Sequence, residues 1–205
     1  MEPVKTINYK KHIINVFHDE NPDSPRNDDN ICEFHCAHRR YSLGDDGFNY
    51  KSGEDCVEAA RQAQKQGDIV LPLYLYDHSG ITISLSPFSC PWDSGQVGYV
   101  IIPRKKVLSE YSAKIFTKSL KEQALKIAQN EVANYDKYLK GEIYGYQIDE
   151  DGDSCWGYYG IDFCINDAKS TVDYIVNQSI KKHCQRVKQW IMNKVPLVYR
   201  TGFAM

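Results

Sequence analysis

Short runs of apolar residues, broken by polar turns, occupy much of the chain, and this pattern predicts strands. Pro72 lies inside one of these runs and cannot donate a backbone hydrogen bond, so we expect a sheet edge or a bulge there. The residues "HSG" after Asp77 are typical of a tight turn between two strands. The predicted strands are "KKHIINVFHD", "ICEFHCAH", "DIVLPLYLYD", "ITISLS", "GQVGYVII", "EIYGYQI" and "CWGYYGIDF".

Helical periodicity appears three times. A shorter helix, "EDCVEAARQAQKQ", follows the N-cap residue Ser52 and ends at Gly67. Apolar residues at three- and four-residue steps predict a long helix from about Ser112 to Lys140. A second long helix is predicted to begin at an N-cap near Asn166 or Asp167 and to end before Pro196.

Hairpins dominate this order of elements, and regular strand–helix–strand alternation is missing. The pattern therefore predicts an α+β fold with a mostly antiparallel sheet, two long amphipathic helices and one shorter helix. We expect one domain over residues 1–205, because 205 residues are enough for a single self-sufficient core. Within it, residues 10–163 form the α+β body and residues 166–195 form a basic amphipathic helix.

Composition indicates an ordinary water-soluble protein that needs no disulfide or metal for stability, with 42% apolar and 25% charged residues. Seven cysteines make an odd number, and the N-terminus lacks the apolar segment of a secretory signal. Reduced thiols in a cytoplasm are the simplest explanation. No run of 18 apolar residues occurs, and we therefore expect no membrane partner.

The net charge of −2 hides an uneven distribution. Eleven acidic and four basic side chains lie between His18 and Glu58, whereas one acidic and seven basic ones lie between Lys169 and Arg200. Such asymmetry can steer partners, or it can reflect two solvated faces. Nucleic-acid binding is one hypothesis for the basic helix, through phosphate contacts. The candidate residues are Lys181, Lys182, Arg186 and Lys188.

Candidate catalytic chemistry is concentrated at two breaks between predicted strands. A Cys90 nucleophile with a His78 base and an orienting carboxylate from Asp77 or Asp93 would satisfy the requirements of covalent catalysis. Asp-His-Ser-Gly is equally ordinary turn chemistry, and Trp92 can simply close the end of the core. We predict that the two breaks, near residues 78 and 92, lie side by side on the outside of an antiparallel sheet, where they form either a catalytic group or a binding surface.

A zinc site is the third possibility. Alternation along a strand places Cys32, Cys36 and His38 on one face, and Cys90 or Cys155 would have to supply a fourth ligand. No second short-spaced ligand pair accompanies them, so we expect buried free thiols, no metal and no cofactor. A contact surface needs only residue types that carry interface energy. The candidates for binding are His38, Arg39, Arg40, Tyr41, Trp92 and Trp156.

Four ordered motifs resemble an uncharacterised protein family encoded by bacteriophages and other mobile elements. They are "DSPRNDDN" with "HRRYSLGDD", "LPLYLYDHSGIT", "FSCPWDSGQVG" and "DSCWGYYG". The resemblance extends from about residue 13 to residue 160 and does not include the C-terminal helix. It implies a phage or prophage origin and action in a bacterial cytoplasm, but it implies no specific reaction.

Together, these features predict a phage accessory protein that acts by binding a host defence protein or nucleoprotein complex, as an anti-CRISPR or anti-restriction inhibitor. One alternative is a Cys/His-dependent enzyme acting on a nucleotide or a host protein. A second alternative is a zinc-stabilised module that binds nucleic acid.

Overall fold

The computed structural model describes residues 2–149 and 152–194, which belong to two compact units. Unit 1 comprises residues 1–19 and 144–205, and unit 2 comprises residues 20–143. The prediction of a single domain over residues 1–205 stays a prediction. The α+β class with mostly antiparallel strands is confirmed. Among the described residues, no helix is both long and apolar enough to cross a bilayer.

Unit 1 contains a four-stranded sheet in the order β1-β2-β8-β9 and one helix. Ile14 and Val16 from the sheet are fully buried against the first turns of that helix, where Ala168 and Val172 are also fully buried. The elements are β1 (Lys5–Tyr9), β2 (His12–His18), β8 (Ile143–Ile148), β9 (Ser154–Tyr159) and α4 (Ile161–Lys194).

Strand β1 was missed by sequence reasoning. It pairs antiparallel with β2 through a two-residue turn in which Lys10 and Lys11 both have positive φ angles, 48° and 70°. Such a turn normally contains Gly or Asn, and two lysines give no sign of it.

The predicted start of α4 was wrong by about five residues. The helix begins at Ile161, directly after Gly160, and neither Asn166 nor Asp167 is its N-cap. Asp167 instead accepts hydrogen bonds from the hydroxyls of Tyr158 and Tyr146. Residue 195, the predicted end of the helix, lies outside the described residues.

Unit 2 contains a five-stranded sheet in the order β4-β3-β7-β5-β6, antiparallel except for the short β3–β4 pair. Its core joins Phe34 and Cys36 of the sheet to Ala124 and Ala128 of α3. The elements are β3 (Glu33–Ala37), β4 (Asn49–Tyr50), α1 (Gly53–Gln66), β5 (Ile69–Asp77), β6 (Ile81–Ser84), β7 (Ser94–Ile102), α2 (Arg104–Glu110) and α3 (Lys118–Leu139), with a 3₁₀ turn at Pro25–Asn27.

Local signals worked well for α1 and β5. Ser52 accepts a hydrogen bond from the backbone N–H of Glu54, and Gly67 closes α1 with a φ of 83°. Pro72 pairs in register with Tyr99 of β7, and β6 pairs with β5 only from Tyr74 onward, so the other side of β5 is an edge at Pro72, one of the two expected alternatives. The register shifts between Leu73 and Tyr74, where Val97 of β7 is the extra residue.

The predicted helix over residues 112–140 was wrong at its start, and the number of helices was too low. A separate helix, α2, follows Pro103, and the chain leaves helical geometry at Ser112, where φ is 48°. Helix α3 starts only at Lys118, where the Thr117 side chain accepts a hydrogen bond from the backbone N–H of Leu120.

Candidate functional site

The two polar breaks of the sequence lie side by side at one end of the unit 2 sheet. Antiparallel pairing places the end of β5 opposite the start of β7, with Tyr76 opposite Ser94. The backbone N–H of Asp77 donates to the carbonyl of Asp93 at 2.8 Å, which ties the two breaks together. A tight turn at Ser79 and Gly80 then returns the chain into β6. The predicted convergence of these segments is therefore confirmed.

Asp93 connects the candidate nucleophile and the candidate base. Its Oδ2 atom lies 3.2 Å from His78 Nδ1 and accepts a longer contact, 3.8 Å, from Cys90 Sγ. The carboxylate thus lies between thiol and imidazole, whereas nucleophilic activation requires the imidazole to contact the thiol. The side chains of His78 and Asp93 are 63% and 42% exposed, so water weakens their interaction.

Asp77 joins this end of the sheet to the loop that follows β3. The Tyr41 hydroxyl lies 3.2 Å from both carboxylate oxygens of Asp77, and Arg40 Nη1 lies 3.5 Å from one of them. His38 stacks on the Tyr41 ring with 4.9 Å between centroids. Its Nδ1 accepts from the backbone N–H groups of Arg40 and Tyr41, which stabilises the turn at residues 38–41.

Trp92 is the most exposed large apolar residue of the described chain, with 91% of its surface accessible. The interpretation of Trp92 as a plug for the core end is therefore wrong. It stands at the rim of an open cleft of about 270 Å³. Backbone and side chains from three segments line that cleft: Ala37, His38, Arg40, Leu75, Asp77, Trp92, Asp93, Ser94, Gly95, Gln96 and Val97.

The remaining predicted binding residues lie elsewhere. Arg39 is exposed and does not line the cleft. Trp156 belongs to unit 1, where it stacks on Phe17 at 6.1 Å and covers Gly145 so closely that a Cβ there would lie 2.1 Å from the indole. The basic residues of α4 are exposed in the same unit. They are Lys181, Lys182, Arg186 and Lys188.

The cysteine arrangement offers no metal centre. Cys32 and Cys36 are buried, and burial raises the pKa of Cys36 to about 12, which opposes the thiolate form that zinc requires. His38 lies beyond the end of β3 and points its Nδ1 at backbone N–H groups. Over residues 2–149 and 152–194, no group of three or more His, Cys, Asp or Glu side chains is arranged to hold a metal ion.

Sequence reasoning missed a buried cluster that supports the site loop, which is residues 38–48 between β3 and β4. Arg26 pairs with Asp45 and Glu131, and its guanidinium carbon lies 3.8 Å from the centre of the Phe34 ring. Asp45 also accepts from the backbone N–H of Phe34, which fixes the loop between β3 and β4. The three charged residues are 19 to 105 positions apart, so no local pattern reveals them.

Comparisons with known proteins give no further guide to this site. No protein-family model, curated protein or solved structure matches the chain.

Proposed function

We propose that the chain is a binding protein, and that unit 2 recognises its partner through Trp92 and the adjacent cleft. The observation that carries this proposal is the 91% exposure of Trp92 beside a concave, polar surface. Tryptophan gains a large free energy when an interface covers it, and it is enriched among the residues that dominate binding. Trp92 also stands beside a cleft lined by charged and polar side chains, so a molecule bound there would cover the indole and meet those groups together.

The polar groups around Trp92 support recognition more than packing. The Arg40 side chain is 74% exposed and makes only a 3.5 Å contact with Asp77, so its guanidinium is available to a partner. Asp77 is held by Tyr41, and the two breaks are joined by a backbone hydrogen bond. Groups that are already positioned lose little entropy on association, which favours affinity.

We further propose that the partner belongs to a bacterial defence system and that the protein acts in the host cytoplasm. The support is the resemblance of the four motifs to the phage family. Two of those motifs also supply Asp77, Trp92 and Asp93, which line the cleft. The partner is then a host defence protein or nucleoprotein complex of the CRISPR or restriction type.

The experiment is to express the protein in bacteria that each carry one defined CRISPR or restriction system and to measure plaquing of a sensitive phage. Rescue of plaquing against one system, with capture of a component of that system on the tagged protein, is the expected result. Unchanged plaquing in every strain, with no component captured, would refute an anti-defence role.

A second candidate function rests on the contact of both Cys90 and His78 with Asp93. A Cys/His-dependent enzyme acting on a nucleotide or host protein requires His78 to leave Asp93 and contact the Cys90 thiol in the substrate complex. Cys90→Ala and His78→Ala would then abolish the biological effect. An effect that survives both substitutions eliminates this candidate and leaves the binding proposal intact.

A further inference from the structure

Helix α4 continues far beyond the sheet that it covers. In its first turns Cys164, Ile165, Ala168 and Val172 face the sheet and are buried, whereas Phe163 points away and is 65% exposed. Farther along, Ile180 is 55% exposed, Trp190 is 62% exposed and Met192 is 51% exposed. Every residue from Lys181 to Trp190 is exposed. The sequence predicted an amphipathic helix, and only the first half of its apolar face is covered by the sheet.

Four apolar residues in the second half of α4 form one stripe with cations on both sides. The exposed Met192 lies outside this stripe, and His183 and Lys194 lie within its arc. At about 100° per residue, Ile180, Val187, Trp190 and Ile191 fall within an arc of roughly 100°. Lys181 and Lys188 lie beyond one edge of that arc, and Lys182 and Arg186 lie beyond the other. Such flanking cations can extend past an apolar layer while their stems remain in contact with it.

Charge selects among the molecules that could cover this stripe. No acidic residue occurs from Tyr174 to Lys194, so a second copy of α4 would bring cations against cations. A nucleic-acid backbone supplies negative charge but no apolar layer for Ile180 and Trp190. An anionic lipid surface supplies both, with headgroup phosphates for the flanks and an acyl boundary for the stripe.

We propose that the second half of α4, residues 180–194, binds the surface of membranes that contain anionic lipids, with its stripe inserted at the headgroup boundary. This mode differs from spanning a bilayer, and it revises our expectation of no membrane partner. Trp190 serves as an interfacial anchor, since indole rings favour the headgroup level. The proposal is independent of the function proposed for unit 2, because it uses different residues.

Vesicle co-sedimentation of the full-length protein tests this proposal. We expect binding to vesicles of equal parts phosphatidylglycerol and phosphatidylcholine, weakening as salt is raised, and much weaker binding to phosphatidylcholine alone. Each cation near such a surface contributes about fivefold, so Lys181→Gln with Lys188→Gln should lower the partition coefficient by about 30-fold. Tryptophan emission should shift to the blue in the wild type and not in Trp190→Phe.

The matched controls are exposed residues of unit 2. Lys121→Gln with Lys126→Gln on α3 removes the same charge, and Ile115→Ala removes an apolar side chain that is 71% exposed. Both controls should bind vesicles as the wild type does. Equal losses in the α4 and α3 lysine variants would overturn the proposal, as would equal binding to neutral and anionic vesicles. Binding of duplex DNA, or dimer formation, that depends on α4 without vesicle binding would overturn it in favour of those occupants.

Discussion

Replacement of Arg26 tests the buried cluster that supports the site loop. The Arg26 side chain is 3% exposed and donates to Asp45 at 2.5 and 3.0 Å, to Glu131 at 2.9 Å and to the carbonyl of Cys32 at 2.7 Å. The Arg26→Met substitution retains an unbranched apolar stem and removes all four hydrogen bonds. Two carboxylates whose side chains are 16% and 12% exposed then lose their cation.

The expected loss of stability is large. Removing one partner of a buried ion pair costs about 3–5 kcal/mol, because the remaining charge is left without compensation. With a slope of about 2 kcal/mol per molar urea, the unfolding midpoint should fall by about 1.5–2.5 M. Backbone N–H groups of Ile31 and Cys32 still donate to Glu131, so the lower part of this range is the expected outcome.

Urea unfolding followed by circular dichroism measures this change, with Arg61→Met as the control. Arg61 in α1 is 68% exposed and lies 3.9 Å from Glu58, so its replacement should change stability by no more than about 0.5 kcal/mol. An Arg26→Met loss as small as that of the control would mean that the cluster contributes little, and the account of how the site loop is held would be wrong.

Three further predictions concern thiols, pH and sheet packing. Thiol reagents should label three cysteines of the native protein, Cys90, Cys155 and Cys184. The other four are buried and should be labelled only after unfolding: Cys32, Cys36, Cys56 and Cys164. The N–H of Ile13, and then His12, hold the pKa of Asp149 below its usual value. This stabilisation is complete above the unfolded pKa near 4 and is lost as pH falls through the lower folded pKa, so Asp149→Asn should flatten the acid side of a stability-versus-pH curve. A Cβ on Gly98 would lie 2.0 Å from the carbonyl of His35, and Gly98→Ala should therefore lower the melting temperature by several degrees in calorimetry.

Local chemistry in the sequence was sufficient for several features of the fold. Ser52 and Gly67 correctly marked the two ends of α1, because capping residues act through neighbouring backbone groups. The convergence of the breaks after Asp77 and before Ser94 followed from antiparallel pairing of two recognisable strands. These features depend on residues close in sequence or on one pairing, so pattern and turn chemistry are enough.

Features that depend on distant partners were missed. The pairing of Arg26 with Glu131 has no local signature, and Asp167 looked like an N-cap because nothing nearby indicated the tyrosine hydroxyls that it binds. The apolar stripe of α4 has the same period in its buried and exposed halves, since periodicity reports a face and not what covers it. The exposure of Trp92 likewise became evident only from the structure.

The most direct test of recognition through Trp92 is a comparison of two variants in the strain where the wild type restores plaquing. Trp92→Ala and Ile115→Ala each remove an exposed apolar side chain of unit 2, but only Trp92 borders the cleft. Both should match the wild type in melting temperature and abundance. We predict that Trp92→Ala loses the restored plaquing and that Ile115→Ala keeps it. Full restoration by a stable Trp92→Ala protein would contradict the account.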